Sequence, residues 1–477
     1  MSRDQAIARA AKKFDDGTFF QLLSGWVHHP TESQNPAREA ELTAYLTDAI
    51  APYLETMGFT CRVAANPVDP RLPFLIGRRM EAEELPTVLI YGHGDTVLAM
   101  EDRWRKGLAP WRLIREGDRW YGRGAADNKG QHAVNLAALA CVLAEKKRLG
   151  FNVKVLIEMG EEMGSPGLHK ICAAEKEALA ADVLIASDGP RIDPQKPTLF
   201  GGSRSVFNFD LRLDLRQGGH HSGNWGGLLA NPGIILSHAI ACLVDGRGKI
   251  LVEGLRPEGI PASVKRALAE LEVTGRQGPA IDPAWGEPGL SLAEKVYGWN
   301  SLEVLAFECG NPAAPAHAIP PGAWVRLHLR FVAGCDPAEF IPAVRKHLDQ
   351  HGFAMIEIIP PRESWYPATR MDPDNPWAQW AIASVEKTCG QKPAFLPNLG
   401  GTLPNDAFSV ILGLPTIWVP HSYGGCSQHA PDEHLLAPIV REGLGIMAGL
   451  FWDLAENAPE SSGREKQAHP GAGELET

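Results

Sequence analysis

From residue 37 to residue 60 (AREAELTAYLTDAIAPYLETMGFT) apolar residues recur at helical spacing, with Leu42, Tyr45, Leu46 and Ile50 on one stripe, which predicts an amphipathic helix. The pattern then becomes one of short apolar runs. Thr87–Tyr91 (TVLIY), Val153–Glu158 (VKVLIE) and Asp182–Ala186 (DVLIA) read as strands, and the Ala- and Leu-rich segment Asn128–Leu149 reads as a helix between the first two. Strands that alternate with helices predict an α/β layer around a mixed, mostly parallel sheet. Near Gly201 the texture changes. Val206–Leu215 (VFNFDLRLDL) and Trp324–Val332 (WVRLHLRFV) alternate strictly between apolar and polar, as antiparallel strands with one wet face do. Helices are predicted at Pro232–Val244, Pro261–Leu271 and 338–352, and a long Gly/Pro-rich loop at 272–290. The α/β texture returns with a helix at Trp377–Cys389, a buried strand within Val410–Val419 and a helix at Leu436–Leu454. The expected organisation is a discontinuous α/β domain (1–203 and 365–454), an inserted α+β domain (204–364) and a polar, disordered tail (455–477).

Composition narrows the class. The chain has 477 residues, 44% apolar and 22% charged, as an ordinary globular protein has. A net charge of −11 without a Lys/Arg block argues against a nucleic-acid partner. No apolar run reaches the roughly 18 residues that a membrane span needs, and the N-terminus does not read as a signal peptide. The eight cysteines form no CxxC pair, so they read as reduced thiols and the expected location is the cytoplasm.

Five polar clusters follow these elements. The first is Gly92-His93-Gly94-Asp95-Thr96, in which a carboxylate two residues after a histidine is placed to fix the imidazole's tautomer. The second is the Gly-rich loop GRGAADNKG with Asp127 before a helix, and the third is Glu161-Glu162 after strand Val153–Glu158. Ser187-Asp188-Gly189 and the segment around His429 complete the set. Singly they read equally as a solvated loop histidine, an N-cap and surface carboxylates. Together, His93, Asp127, Glu162, Asp188 and His429 lie beyond separate elements of one sheet, at the edge where open α/β sheets assemble sites. Two histidines and three carboxylates suit two divalent ions, zinc first, with manganese or cobalt as alternatives. A pair of ions about 3.5–4 Å apart needs one bridging carboxylate.

The ordered motifs YGHGDT, GRGAADNKG, EMGEEMGS, SDG and QHAPDEH resemble those of the dinuclear metallopeptidase family of carnosinase, aminoacylase, acetylornithine deacetylase and succinyl-diaminopimelate desuccinylase. The resemblance runs from about Glu39 to about Leu454. It implies a zinc-exopeptidase-like catalytic domain with a lid that also dimerises. It implies that His93 and Asp188 bind one metal, Glu162 and His429 the other, and that Asp127 bridges both, with a cis peptide to Asn128. Asp95 would orient His93 and Glu161 would be the general base. HHSGNWGG is similar to a lid segment of the carnosinase-like branch, which makes His221 an oxyanion donor acting across a homodimer. Gly400–Pro404 resembles the substrate loop, which implicates Gly401 and Thr402, and Arg330 matches a lid arginine that binds a terminal carboxylate.

Two departures stand out. His317 occupies the place of an asparagine in the substrate region, and Asp432 that of an asparagine in the last motif, where it would add charge near the metal. The expected activity is hydrolysis of a dipeptide with a free carboxylate. The rivals are an N-acyl amino acid deacylase, an amide hydrolase of aromatic or xenobiotic substrates and a catalytically inactive binding homologue.

Overall fold

The computed structural model describes residues 1–274, 278–361 and 366–460. Its centre is an eight-stranded sheet in the order Thr60–Ala64, Phe74–Arg79, Asn152–Glu158, Thr87–His93, Val183–Ala186, Thr416–Trp418, Thr198–Phe200 and Ala394–Leu396. The four middle strands are mutually parallel, and the strand next to them on each side, Phe74–Arg79 and Thr198–Phe200, pairs with them antiparallel; the edge strand Ala394–Leu396 pairs parallel with Thr198–Phe200 and the edge strand Thr60–Ala64 antiparallel with Phe74–Arg79. Both faces are covered, which is why the middle strands are continuous apolar runs. Along Thr87–His93, Val88 and Ile90 pack into one core while Leu89 and Tyr91 pack into the other. The first core holds helices Arg3–Asp15, Lys129–Lys146, Pro376–Cys389 and Ala437–Asn457; the second holds helix Leu168–Ala174 and residues around Phe408.

A second, antiparallel sheet runs Ser301–Cys309, Gly322–Phe331, Ser205–Asp214, Glu357–Ile359. Gly322–Phe331 alternates between buried and half-buried positions along its whole length. Its buried face, with Leu327 and Leu329, meets Leu236, Leu243, Val344 and Leu348 of helices Pro232–Leu243 and Phe340–Gln350.

Several expectations are corrected. The segment 37–60 is helical only to Thr56, in successive 3₁₀, α and π turns. Gly58 then takes φ +79°, and a strand begins at Thr60. Of Val410–Val419 only Thr416–Trp418 is strand, and a π-turn at Ala407–Ile411 precedes it. The last long helix continues through Ala455 to Asn457, so three residues assigned to the tail are helical. The rest of that tail from 461, part of the 272–290 loop (275–277) and the 364/365 boundary lie outside the described residues. No helix among the described residues is long and apolar enough to cross a membrane.

Candidate active site

The parallel strands deliver their polar ends to one edge. His93 is the last residue of its strand; Glu161 and Glu162 follow Glu158 in a short 3₁₀ turn; Asp188 lies two residues beyond Ala186. Asp127 precedes helix Lys129–Lys146, and its peptide bond to Asn128 is cis. His429 lies in the loop before strand His434–Leu436 and adopts a left-handed φ of 58°. The backbone turning out of His93 has room only for glycine: a Cβ on Gly94 would stand 2.4 Å from the Tyr45 ring.

One carboxylate holds the cluster together. Asp127 Oδ1 is 3.2 Å from His93 Nε2, and its Oδ2 is 3.0 Å from His429 Nε2. Asp188 Oδ2 lies 3.5 Å from His93 Nε2, and Glu162 Oε2 lies 3.0 Å from His429 Nε2. Two triads therefore share Asp127: His93, Asp127, Asp188 and Asp127, Glu162, His429. The ligand atoms of each triad lie within 4.8 Å of one another. Glu161 Oε2 stands 4.0 Å from His93 Nε2. Asp95 is buried, with its carboxylate 3.4 Å from His93 Nδ1 and accepting hydrogen bonds from the backbone N–H groups of Glu161 and Glu162, both 3.1 Å. Its backbone carbonyl is closer still to the ring, 3.2 Å from His93 Nδ1.

The donor set fits divalent cations. Burial pushes the Glu161 carboxyl well above the usual range, and the neighbouring carboxylates Glu162, Asp188 and Asp127 add to it against the pull of His93. Burial and the Asp127 charge push Glu162 up to about 7. Burial also raises Asp188, against the His93 hydrogen bond. Burial would raise Asp127 as well, but the imidazoles on its two oxygens outweigh it and hold it below the carboxylate range. The Asp127 and Glu162 contacts lift His429 to about 11. On His93 burial opposes charge, yet Asp127, Asp188 and Asp95 raise it well above the imidazole range. Protons are thus crowded onto a carboxylate-rich buried cluster, and metal ions neutralise such clusters by displacing protons.

The residues expected to meet substrate fall into two groups. Arg330 Nη1 donates to Thr402 Oγ1 at 2.7 Å, and Arg204 Nε donates to the Gly400 carbonyl at 2.9 Å, so the second sheet and the Gly400–Thr402 loop meet beside Gly401. His221 and His317 lie together elsewhere. His221 is exposed in a two-residue strand paired with Ala318–Ile319, and the His317 carbonyl accepts from Ser222 N and Oγ. Among the described residues neither side chain hydrogen-bonds to the metal-type cluster. The Asp432 carboxylate faces Arg105: it accepts the Arg105 backbone N–H at 2.9 Å and stands 3.7 Å from the guanidinium Nε.

Glu433 has a part that the motif reading did not give it. It is buried, and its Oε1 accepts from the N–H groups of Ala126 (2.8 Å) and Asp127 (3.0 Å). Its Oε2 accepts from Gly124 N (3.1 Å) and Arg123 Nη1 (2.7 Å). The loop that presents Asp127 is wrapped around this one carboxylate. The only sequence sign was a glutamate four residues after His429.

Residues 89–453 match peptidase family M20/M25/M40. The chain belongs to this family. It is 30% identical to the human Beta-Ala-His dipeptidase over 472 residues, covering 92% of this chain and 90% of that protein. It is 31% identical over 439 residues to the Cys-Gly metallodipeptidase DUG1 of Candida albicans, with coverages of 85% and 87%. In fold it is similar to the dipeptidase Dug1p of Saccharomyces cerevisiae, with a TM-score of 0.74, 21% identity and coverage of 96% and 100%.

Proposed function

We propose that this M20 peptidase is a metal-dependent dipeptidase acting on small peptides with a free C-terminal carboxylate. The observation that carries this reading is Asp127, which turns one oxygen to His93 and the other to His429 while Glu161 stands beside them. His93, Asp188, Glu162 and His429 would hold two divalent ions, zinc first and manganese or cobalt next, with Asp127 between them. Bound there, such ions supply Lewis acidity and lower the pKa of water. Glu161 takes the proton of the attacking water and passes it to the leaving amine. Arg330, with Gly401 and Thr402, receives the substrate carboxylate, for which a planar guanidinium fork is suited.

His221 of the partner subunit donates to the developing oxyanion, with His317 beside it. That role requires a homodimer through an inserted lid spanning 204–364, joined to a catalytic domain of 1–203 and 365–454. Exposed apolar side chains in this region support this: Leu228 is 75% exposed, Ile234 on helix Pro232–Leu243 61%, and Leu305 on edge strand Ser301–Cys309 57%. The eight free cysteines support a reducing, cytoplasmic location.

The dipeptidase relatives favour this reading over deacylation of N-acyl amino acids. The test is a hydrolysis panel with metal-reconstituted protein, pairing Xaa-Gly and β-Ala-His with N-acetyl and N-succinyl amino acids in zinc, manganese and cobalt. Turnover of the dipeptides is expected; turnover of the acyl amino acids alone would replace it with a deacylase.

A further inference from the structure

A second cluster of metal-type ligands lies on the helical layer of the antiparallel sheet, and the chemistry described above does not use it. Cys242 is on helix Pro232–Leu243; His347, on helix Phe340–Gln350, and His351, just past its end, stand one turn apart. The helices pack on one core, and the thiol and one nitrogen of each imidazole all lie within 4.8 Å of one another. The imidazole rings are stacked, with centroids 4.2 Å apart at 27°.

The hydrogen bonds decide which ring nitrogens are available. His347 Nε2 lies 2.8 Å from the carbonyl oxygen of Cys242, and His351 Nδ1 lies 2.8 Å from the carbonyl oxygen of His347. A carbonyl only accepts, so in each neutral ring that nitrogen carries the proton. His347 Nδ1 and His351 Nε2 are left with lone pairs. A backbone carbonyl on the far N–H is how protein structures orient imidazole ligands and raise their basicity. The Cys242 thiol is half-buried and, among the described residues, donates to the Ala239 carbonyl of its own helix at 3.0 Å, a contact it can exchange for a metal.

We propose that Cys242, His347 and His351 form a separate metal site, which takes a zinc-class divalent ion through one thiolate and two imidazoles. On binding, the thiol proton leaves to solvent and a sulfur–metal bond replaces the S–H bond. The fourth position faces solvent beside exposed His351 and is filled by water. The ion ties two helices that are otherwise joined by apolar packing and the His347 hydrogen bond, and so stiffens the layer behind the sheet that carries Arg330.

Cobalt(II) titration of the full chain tests this site separately from the catalytic cluster. The catalytic cluster offers only nitrogen and oxygen ligands, so a near-ultraviolet thiolate-to-cobalt charge-transfer band reports a cysteine ligand. The band is expected to plateau at an intensity of one thiolate-bound cobalt per chain once all sites are filled, to vanish in Cys242→Ser and His351→Ala, and to persist in His93→Ala. His351 is exposed at a helix end, so its variant keeps the fold and decides the matter even if Cys242→Ser does not fold. No band at saturating cobalt, or an undiminished band in His351→Ala, would overturn the proposal.

Discussion

Glu433→Gln separates holding the Asp127 loop from binding metal directly. The wild-type carboxylate accepts three backbone N–H groups and the Arg123 guanidinium, all buried. If the amide oxygen keeps Ala126 and Asp127, its NH₂ group faces Gly124 and Arg123, donor against donor. Arg123 is then a 1% exposed cation whose remaining acceptor is the Leu98 carbonyl at 3.2 Å. Breaking a buried ion pair on one side costs about 3–5 kcal/mol, and that range is the expected loss in urea unfolding. The loosened loop should weaken metal binding about 10–100-fold, the usual effect of removing a ligand's supporting partner. Chelator-competition titration measures this. Arg123→Met combined with Glu433→Gln should recover part of the stability, because no charge is then left unpaired. If Glu433→Gln matches wild type within about 0.5 kcal/mol and in metal affinity, the loop is not organised by this carboxylate.

Further outcomes follow from the same geometry. Glu161→Gln should abolish turnover with metal content unchanged by elemental analysis; surviving activity would move the general base elsewhere. Mixing Glu161→Ala with His221→Ala protomers should restore activity that neither has alone, since one site of each hybrid dimer is complete; silence with dimers confirmed by sedimentation would rule out a role for His221 across the interface. Arg330→Lys should lower kcat/KM for dipeptides by about 10–100-fold, the worth of a charge-assisted hydrogen bond, and should hardly change it for C-terminal amides. Burial raises buried Glu158 to about 7, and its Oε1 accepts from Tyr91 Oη at 2.5 Å. The folded state thus holds a proton that the unfolded chain releases near pH 4.5. Its stabilising contribution is present at low pH and is lost as pH rises toward about 7. Glu158→Gln should flatten that slope in unfolding measured across the window.

The central strands were legible because burial on both faces makes most of their positions apolar, and Gly322–Phe331 because one wet face enforces alternation. Strands Thr60–Ala64 and Ser301–Cys309 lie at sheet edges, where weak burial removes the pattern; the exposed Val304, Leu305 and Phe307 obey no alternation at all. Three-residue strands such as Ala394–Leu396 are too short to carry a period, and their pairing alone makes them strands.

The sequence by itself determined the residue types of the site and their order, because metal chemistry restricts ligands to a few side chains and strand ends are marked by abrupt polar clusters. Only the tertiary structure decided which oxygen of Asp127 faces which histidine, that Asp432 turns to Arg105, and that Glu433 gathers the Asp127 loop. These are contacts between residues up to about three hundred positions apart. Local pattern carries no information on such distances; the packing of the two cores sets them.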